Sequence, residues 1–290
     1  MYLPIIISRL SNFLFYVQKT NEHNSVKFHL QKYLLGENLN LFFYGESENK
    51  IWKQIKELIG EQNTKQIEKA IILSASVFTS YWHKAYKHLS LWERYFQDNQ
   101  ILLQQIIINA KNLIGIKHFA VSKIPVYLIS DPKSKDKEIN AWFSWTTKKS
   151  FIVVEIPFGL RMPNNLFPLS VLAHEFFHLM LRKNKNLFSK ICNTVKGNKK
   201  LFTKLSEGMP NRIFFEEMLI SSFIPEGYLG EKYLNTKVVA YNSKPRYLLA
   251  WRKSIAFSLY QTAKEYISND KQIDKNYIQH IIEVIKQHVE

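Results

Sequence analysis

The sequence predicts an α+β fold that is predominantly helical: a small mixed or antiparallel sheet, one deeply apolar helix, and a mainly helical region after it. Three observations carry this. Long stretches repeat apolar residues at helical spacing, as in Ile67, Ile71, Ala75, Phe78, Tyr81 and Trp82. Runs rich in β-branched and aromatic residues cluster between Ile124 and Ile156. The segment from Leu169 to Leu181 is apolar at nearly every position except Ser170, His174, Glu175 and His178, as expected of a core helix.

From the N-terminus, residues 1–45 read as β-like or mixed, with candidate strands at Phe13 to Val17, Val26 to Leu30 and Leu39 to Tyr44 between polar turns. Residues 49–60 and 64–114 read as helices ending near Gly115, with Trp82 and Trp92 as packing residues. Ile124 to Ile129 reads as a strand, and Asp131 to Lys137 as a solvated turn. Ala141 to Trp145 and Phe151 to Ile156 form a hairpin around Thr147 to Ser150. Pro163 and Pro168 mark the start of the apolar helix, with Asn164 and Asn165 as caps. Arg182 and Lys183 suit its C-terminal dipole, and 182–186 is its exit loop. Leu187 to Leu205 reads as a helix broken at Gly197. Arg212 to Ile224 reads as a second buried helix ending at Pro225, and helices follow at 245–267 and 274–288.

The 290 residues, 46% of them hydrophobic, suffice for a substantial core in one large or two closely packed domains. The expected division is a mixed N-terminal region of unassigned role at 1–120 and a second domain at 121–290. A single cysteine, Cys192, excludes an internal disulfide framework and reads as a surface or core thiol. The net charge of +16 comes from 40 basic and 24 acidic side chains. The lysines are scattered, so nucleic acid is not an expected partner. The apolar start lacks a basic leading region and is interrupted by Arg9, so it reads as structure and not as a leader. No apolar run is long enough to span a bilayer, and the expectation is a soluble cytoplasmic protein. The sequence leaves the oligomeric state open.

The most informative stretch is His174-Glu175-Phe176-Phe177-His178, an H-E-x-x-H pattern. Residues four apart on a helix project from one face, so two imidazoles can grip one Zn2+ ion. Glu175, about 100° further round, can take a proton from water on that metal. Burying three such side chains without partners costs a few kcal/mol each, roughly, so a metal is the natural partner. A catalytic zinc takes three protein ligands. A histidine six residues after His178 is excluded because Asn184 stands there, with Leu181 where a glycine would precede it. His280, His288, Asp270 and Asp274 are remote in sequence. Glutamates remain: Glu207, Glu216, Glu217, Glu226 and Glu231. Glu216 and Glu217 are the only acids of the second buried segment.

The H-E-x-x-H motif followed by a glutamate on a later buried helix resembles the gluzincin branch of the zincin metallopeptidases, over roughly Ile124 to Tyr241. The resemblance implies a sheet packed on the motif helix, with a helical lobe after it. In that branch a small polar or acidic residue often follows the third ligand by one turn. Ser221 follows Glu217 in this way, whereas Ile220 follows Glu216, so the resemblance favours Glu217 as the third ligand with Glu216 as its rival. It implies zinc-dependent hydrolysis of a peptide or protein substrate, with Glu175 as the base activating a zinc-bound water. A tyrosine or histidine would steady the oxyanion: Tyr228 is the candidate, with Tyr233, Tyr241 and Arg246 as rivals. It also implies that substrate lies along an edge strand, for which Phe151 to Ile156 is the candidate; a plain core strand is the other reading. A non-catalytic zinc-binding domain and a basic helical binding module are the competing classes.

Overall fold

The computed structural model describes residues 3–20, 48–134, 138–145, 149–206, 208–240 and 245–289. In chain order the elements are β1 (Ile5–Ile6), α1 (Arg9–Lys19), α2 (Glu48–Ile59), α3 (Glu61–Asp98) and α4 (Gln100–Ile114). A 3-10 turn at Val121–Lys123 leads into β2 (Val126–Asp131), β3 (Asn140–Trp145) and β4 (Ser150–Pro157). The helices α5 (Phe167–Lys183), α6 (Lys185–Gly197), α7 (Lys199–Leu205), α8 (Asn211–Ser221) and α9 (Tyr228–Leu234) follow. The chain closes with α10 (Leu248–Ser258), α11 (Tyr260–Ser268) and α12 (Lys275–Val289). The fold is α+β and mostly helical, with one four-stranded mixed sheet. Among the described residues no helix is long and apolar enough to cross a membrane.

The chain forms two interleaved compact units. One gathers Met1–Asp98 and Ala120–Met162, the other Asn99–Phe119 and Pro163–Glu290. The expected division at residue 120 therefore runs differently: the sheet belongs with the N-terminal helices, and α4 belongs with the motif helix.

In the first unit the sheet order is β1-β2-β4-β3, parallel between β1, β2 and β4 and antiparallel between β4 and β3. The β3–β4 hairpin matches the sequence reading. Phe151 to Ile156 does not lie at an edge: β4 is paired on both sides, with Ile152 opposite Val126 and Phe143. Its near-continuous apolar run reflects burial on both faces.

Phe13 to Val17 is helical, not extended. Ser8 caps α1 by accepting the Ser11 N–H at 3.1 Å, and Leu10, Phe13, Leu14 and Val17 fall on one helical stripe. That stripe packs with Tyr127, Ile129, Phe151 and Val153 of the sheet and with Phe78 of α3. Fully buried Asn12 continues the β2 pairing past the short β1: its amide donates to the Leu128 carbonyl at 3.1 Å and accepts the Ser130 N–H at 2.8 Å. The candidate strands Val26 to Leu30 and Leu39 to Tyr44 lie outside the described residues. The 64–114 helix is interrupted at Asn99, and the 245–267 helix at Leu259. Trp92 is fully buried and Trp82 packs on the first unit's core, as packing residues should.

In the second unit Asn184 alone replaces the expected exit loop. It ends α5 and caps α6 by accepting the Leu187 N–H at 3.0 Å. The N-cap of α5 is Leu166, and Asn165 instead accepts the Phe167 N–H at 3.2 Å. Gly197 closes α6, as the sequence break implied.

Candidate metal centre

Helix α5 is buried all round because Leu169, Leu172, Ala173, Phe176, Phe177, Leu179, Met180 and Leu181 cover every face. His174 and His178 are 5% and 4% exposed, held inside by that wrapper. Helix α8 begins after Pro210 and buries Phe214, Phe215, Met218 and Leu219, which fixes the direction of its two glutamates. Phe177 stacks on Phe223, and Phe223 on Tyr277, which anchors the segment just after α8.

His174, His178 and Glu217 converge, with one ligand atom from each within 4.8 Å of the others. The two Nε2 atoms are 3.1 Å apart. Glu217 Oε1 lies 3.0 Å from His178 Nε2, and its Oε2 lies 3.2 Å from His174 Nε2. Donors about 2.0–2.1 Å from a tetrahedral zinc are separated by about 3.3–3.4 Å. The Nε2–Nε2 separation, and the distance from each Nε2 to one of the two Glu217 oxygens, come close to that value. Two imidazoles and a carboxylate are also a donor set suited to zinc.

A second layer orients the first. The Ile224 carbonyl lies 3.3 Å from His174 Nδ1, which favours a proton on that nitrogen and a free lone pair on Nε2. Glu216 is fully buried and approaches His178 from its Nδ1 side, where Glu217 meets Nε2. Its Oε2 accepts from Arg182 Nη2 at 2.8 Å and lies 3.6 Å from His178 Nδ1, an ion-pair spacing rather than a hydrogen bond. Its Oε1 lies 3.4 Å from Arg212 Nε. Arg252 of α10 reaches Glu217 Oε2 at 3.7 Å, donates to Ser221 Oγ at 2.8 Å and pairs with Glu226 at 3.1 Å.

The charges follow from this layout. Burial opposes the ionised Glu175 carboxylate and raises its pKa, with the charges of His178 and His174 pulling the other way. Burial would lower the pKa of His178, but the carboxylates of Glu216 and Glu217 outweigh it and raise the value to about 9. Burial would likewise raise Glu217, yet His174 and His178 hold it well below the usual carboxylate range.

Of the two α8 glutamates, Glu217 joins the histidines and Glu216 backs them. Glu226 binds Arg252, Glu231 accepts from Tyr260, and Glu207 lies outside the described residues. Tyr228 packs with residues of α9 and α11. Its ring meets Tyr260 edge-on at 5.7 Å, and Lys232 sits over it. It opens α9 and does not sit on a flexible turn. A Cβ at Gly227 or Gly230 would fall 2.0 Å from the Ser222 or Pro225 carbonyl, so these glycines serve close packing. Tyr233 accepts from Asn109, Arg246 is exposed, and Tyr241 lies outside the described residues.

Arg252 escaped the sequence reading, as did the role of Arg182 beyond helix capping. The one available signal was Ser221, the polar residue one turn after Glu217, which proves to hold the Arg252 guanidinium. Compared with family models, with curated proteins and with solved structures, the chain matches none.

Proposed function

We propose that the second unit is a zinc-dependent hydrolase of peptide bonds. The observation that carries this is the convergence of His174, His178 and Glu217 at ligand spacing, with Glu175 buried beside them on the same helix. His174, His178 and Glu217 would hold the metal. When bound, zinc would lower the pKa of a water and polarise the scissile carbonyl. Glu175 is the base: its raised pKa suits a carboxylate that takes a proton from water and returns it to the leaving amine. Glu216, braced by Arg182 and Arg212, keeps the His178 ring in place. Arg252 restrains the Glu217 carboxylate through Oε2, the oxygen that also meets His174. Tyr228 remains the candidate oxyanion donor of this reading, with Tyr233 as a rival.

The test is Glu175→Gln. The variant retains zinc at wild-type stoichiometry by elemental analysis, while cleavage of a peptide library, read by mass spectrometry, falls by about 10²–10⁴-fold. Undiminished cleavage by Glu175→Gln overturns the mechanism. Bound zinc without any chelator-sensitive cleavage by the wild type assigns the site to non-catalytic metal binding.

A further inference from the structure

The second unit holds a cavity of about 710 Å³ whose lining includes Lys117, Lys183, Lys185, Lys190 and His118 and no acidic residue. Lys183, Lys185 and Lys190 are close in sequence around the α5–α6 junction, and the fold brings Lys117 to them from the segment after α4. Among the described residues none of the four forms an ion pair. Lys183 lies over the Phe119 ring at 5.1 Å, which holds its ammonium without neutralising it. Lysines near helix C-termini often serve the exposed carbonyls there. Here key carbonyls are already taken: Leu113 O accepts from the Ile273 N–H at 2.7 Å and Ile114 O from the Asn184 side chain at 2.5 Å. Neutral donors complete the wall, from the side chains of Asn186 and Gln272.

Four exposed ammonium groups around one concavity give it a positive potential that draws anions. We infer that this cavity binds a small molecule carrying two or more phosphate groups. Ammonium groups bind phosphate as point charges, and several of them match a multiply charged anion better than a single carboxylate. The volume falls within the usual range for small-molecule sites and exceeds the needs of one inorganic phosphate. This inference does not depend on metal binding or hydrolysis.

The test is calorimetric titration of the full chain with tripolyphosphate and with ATP, using citrate and single-stranded DNA of two lengths as comparators. Tripolyphosphate or ATP should bind one per chain, citrate at least about tenfold more weakly. The double variant Lys185→Glu/Lys190→Glu should lose at least about tenfold in affinity for the phosphates. Both side chains are exposed, so the variant should keep its wild-type circular dichroism and zinc content. Absence of phosphate binding, affinity unchanged in the double variant, or citrate binding as tightly as tripolyphosphate overturns the inference. So does binding of DNA alone, with stoichiometry that scales with its length. A second double variant, Lys117→Gln/Lys183→Gln, keeps the test decisive if the first does not fold.

Discussion

Each unit holds a pair of carboxylates of which one is buried and the other partly buried, and the two pairs have different surroundings. In the first unit Asp131 and Glu155 sit near the C-terminal ends of parallel strands. Lys19 Nζ lies 3.6 Å from Asp131 and 3.9 Å from Glu155. The Trp142 indole donates to Glu155 at 2.8 Å, and the Lys133 N–H to Asp131 at 2.9 Å. In the second unit Glu216 and Glu217 are sequence neighbours that diverge. One enters an arginine cage, and the other meets two imidazole nitrogens at the spacing of a metal's donors. Buried charge alone does not make a site. The first pair is answered by a lysine and by N–H donors. In the second, two imidazoles and a carboxylate converge at the spacing of a metal's donors, with Arg252 at longer range from the carboxylate.

The largest expected difference between the pairs is in metal binding. His174→Ala and Glu217→Ala should each lose zinc by more than the roughly 10–100-fold that removal of an outer partner costs. Asp131→Asn should leave zinc content at the wild-type level. Elemental analysis after dialysis reads both, and loss of zinc in Asp131→Asn would break the distinction.

Next is the arginine cage. Glu216→Gln leaves Arg182 and Arg212 without their buried carboxylate, which should destabilise the fold by about 3 kcal/mol or more. In chemical denaturation this appears as a lower midpoint. The same change should weaken zinc binding about 10–100-fold through the loosened His178 ring. Wild-type zinc affinity in a folded Glu216→Gln protein would remove the second layer from the account. Arg252→Met, acting on Glu217 at longer range, should weaken zinc by about tenfold at most.

Metal removal should act on one unit. Free zinc at about a hundred times its dissociation constant stabilises the binding state by about 2.7 kcal/mol. Hydrogen exchange of holo and chelator-treated protein should therefore show the change in α5 and α8, while the amides of β2 and β4 keep their protection. Equal loss of protection in both units would contradict this.

The smallest effect belongs to Glu155, whose pKa burial raises, with the Trp142 hydrogen bond and the Lys19 charge pulling it down. An acid with a raised folded pKa costs stability once ionised, and the cost disappears as pH falls below the unfolded value. Glu155→Gln should raise the melting temperature by about 1–2 °C at pH 8 and leave it unchanged at pH 4. A lower melting temperature at pH 8 would mean that the ion pair with Lys19 outweighs burial.

How much of this was legible depended on whether the signal was local. The motif helix was readable because three polar side chains interrupt an otherwise apolar helical stretch. The resemblance favoured Glu217 over Glu216 through Ser221 one turn later, and the structure brings Glu217 to the histidines. By contrast, the aromatic run Phe13 to Val17 suggested a strand, while the stripe of Leu10, Phe13, Leu14 and Val17 was the truer guide. The unbroken apolar run at Phe151 to Val154 already marked a strand buried on both faces, which an edge strand is not. Arg252 meets Glu217, Ser221 and Glu226 from a helix about 26 to 35 residues downstream, and no local pattern announces a pairing of that kind. The interleaving of the units is equally non-local, because α4 joins the motif helix only through tertiary packing.

The central claim is that His174, His178 and Glu217 hold one metal ion. An anomalous difference map of zinc-loaded crystals, collected on either side of the zinc absorption edge, tests it most directly. The account predicts a single strong peak about 2.0–2.1 Å from His174 Nε2, His178 Nε2 and a Glu217 oxygen. Stoichiometric zinc with its peak elsewhere, or no peak at these three side chains in protein saturated with zinc, would contradict it.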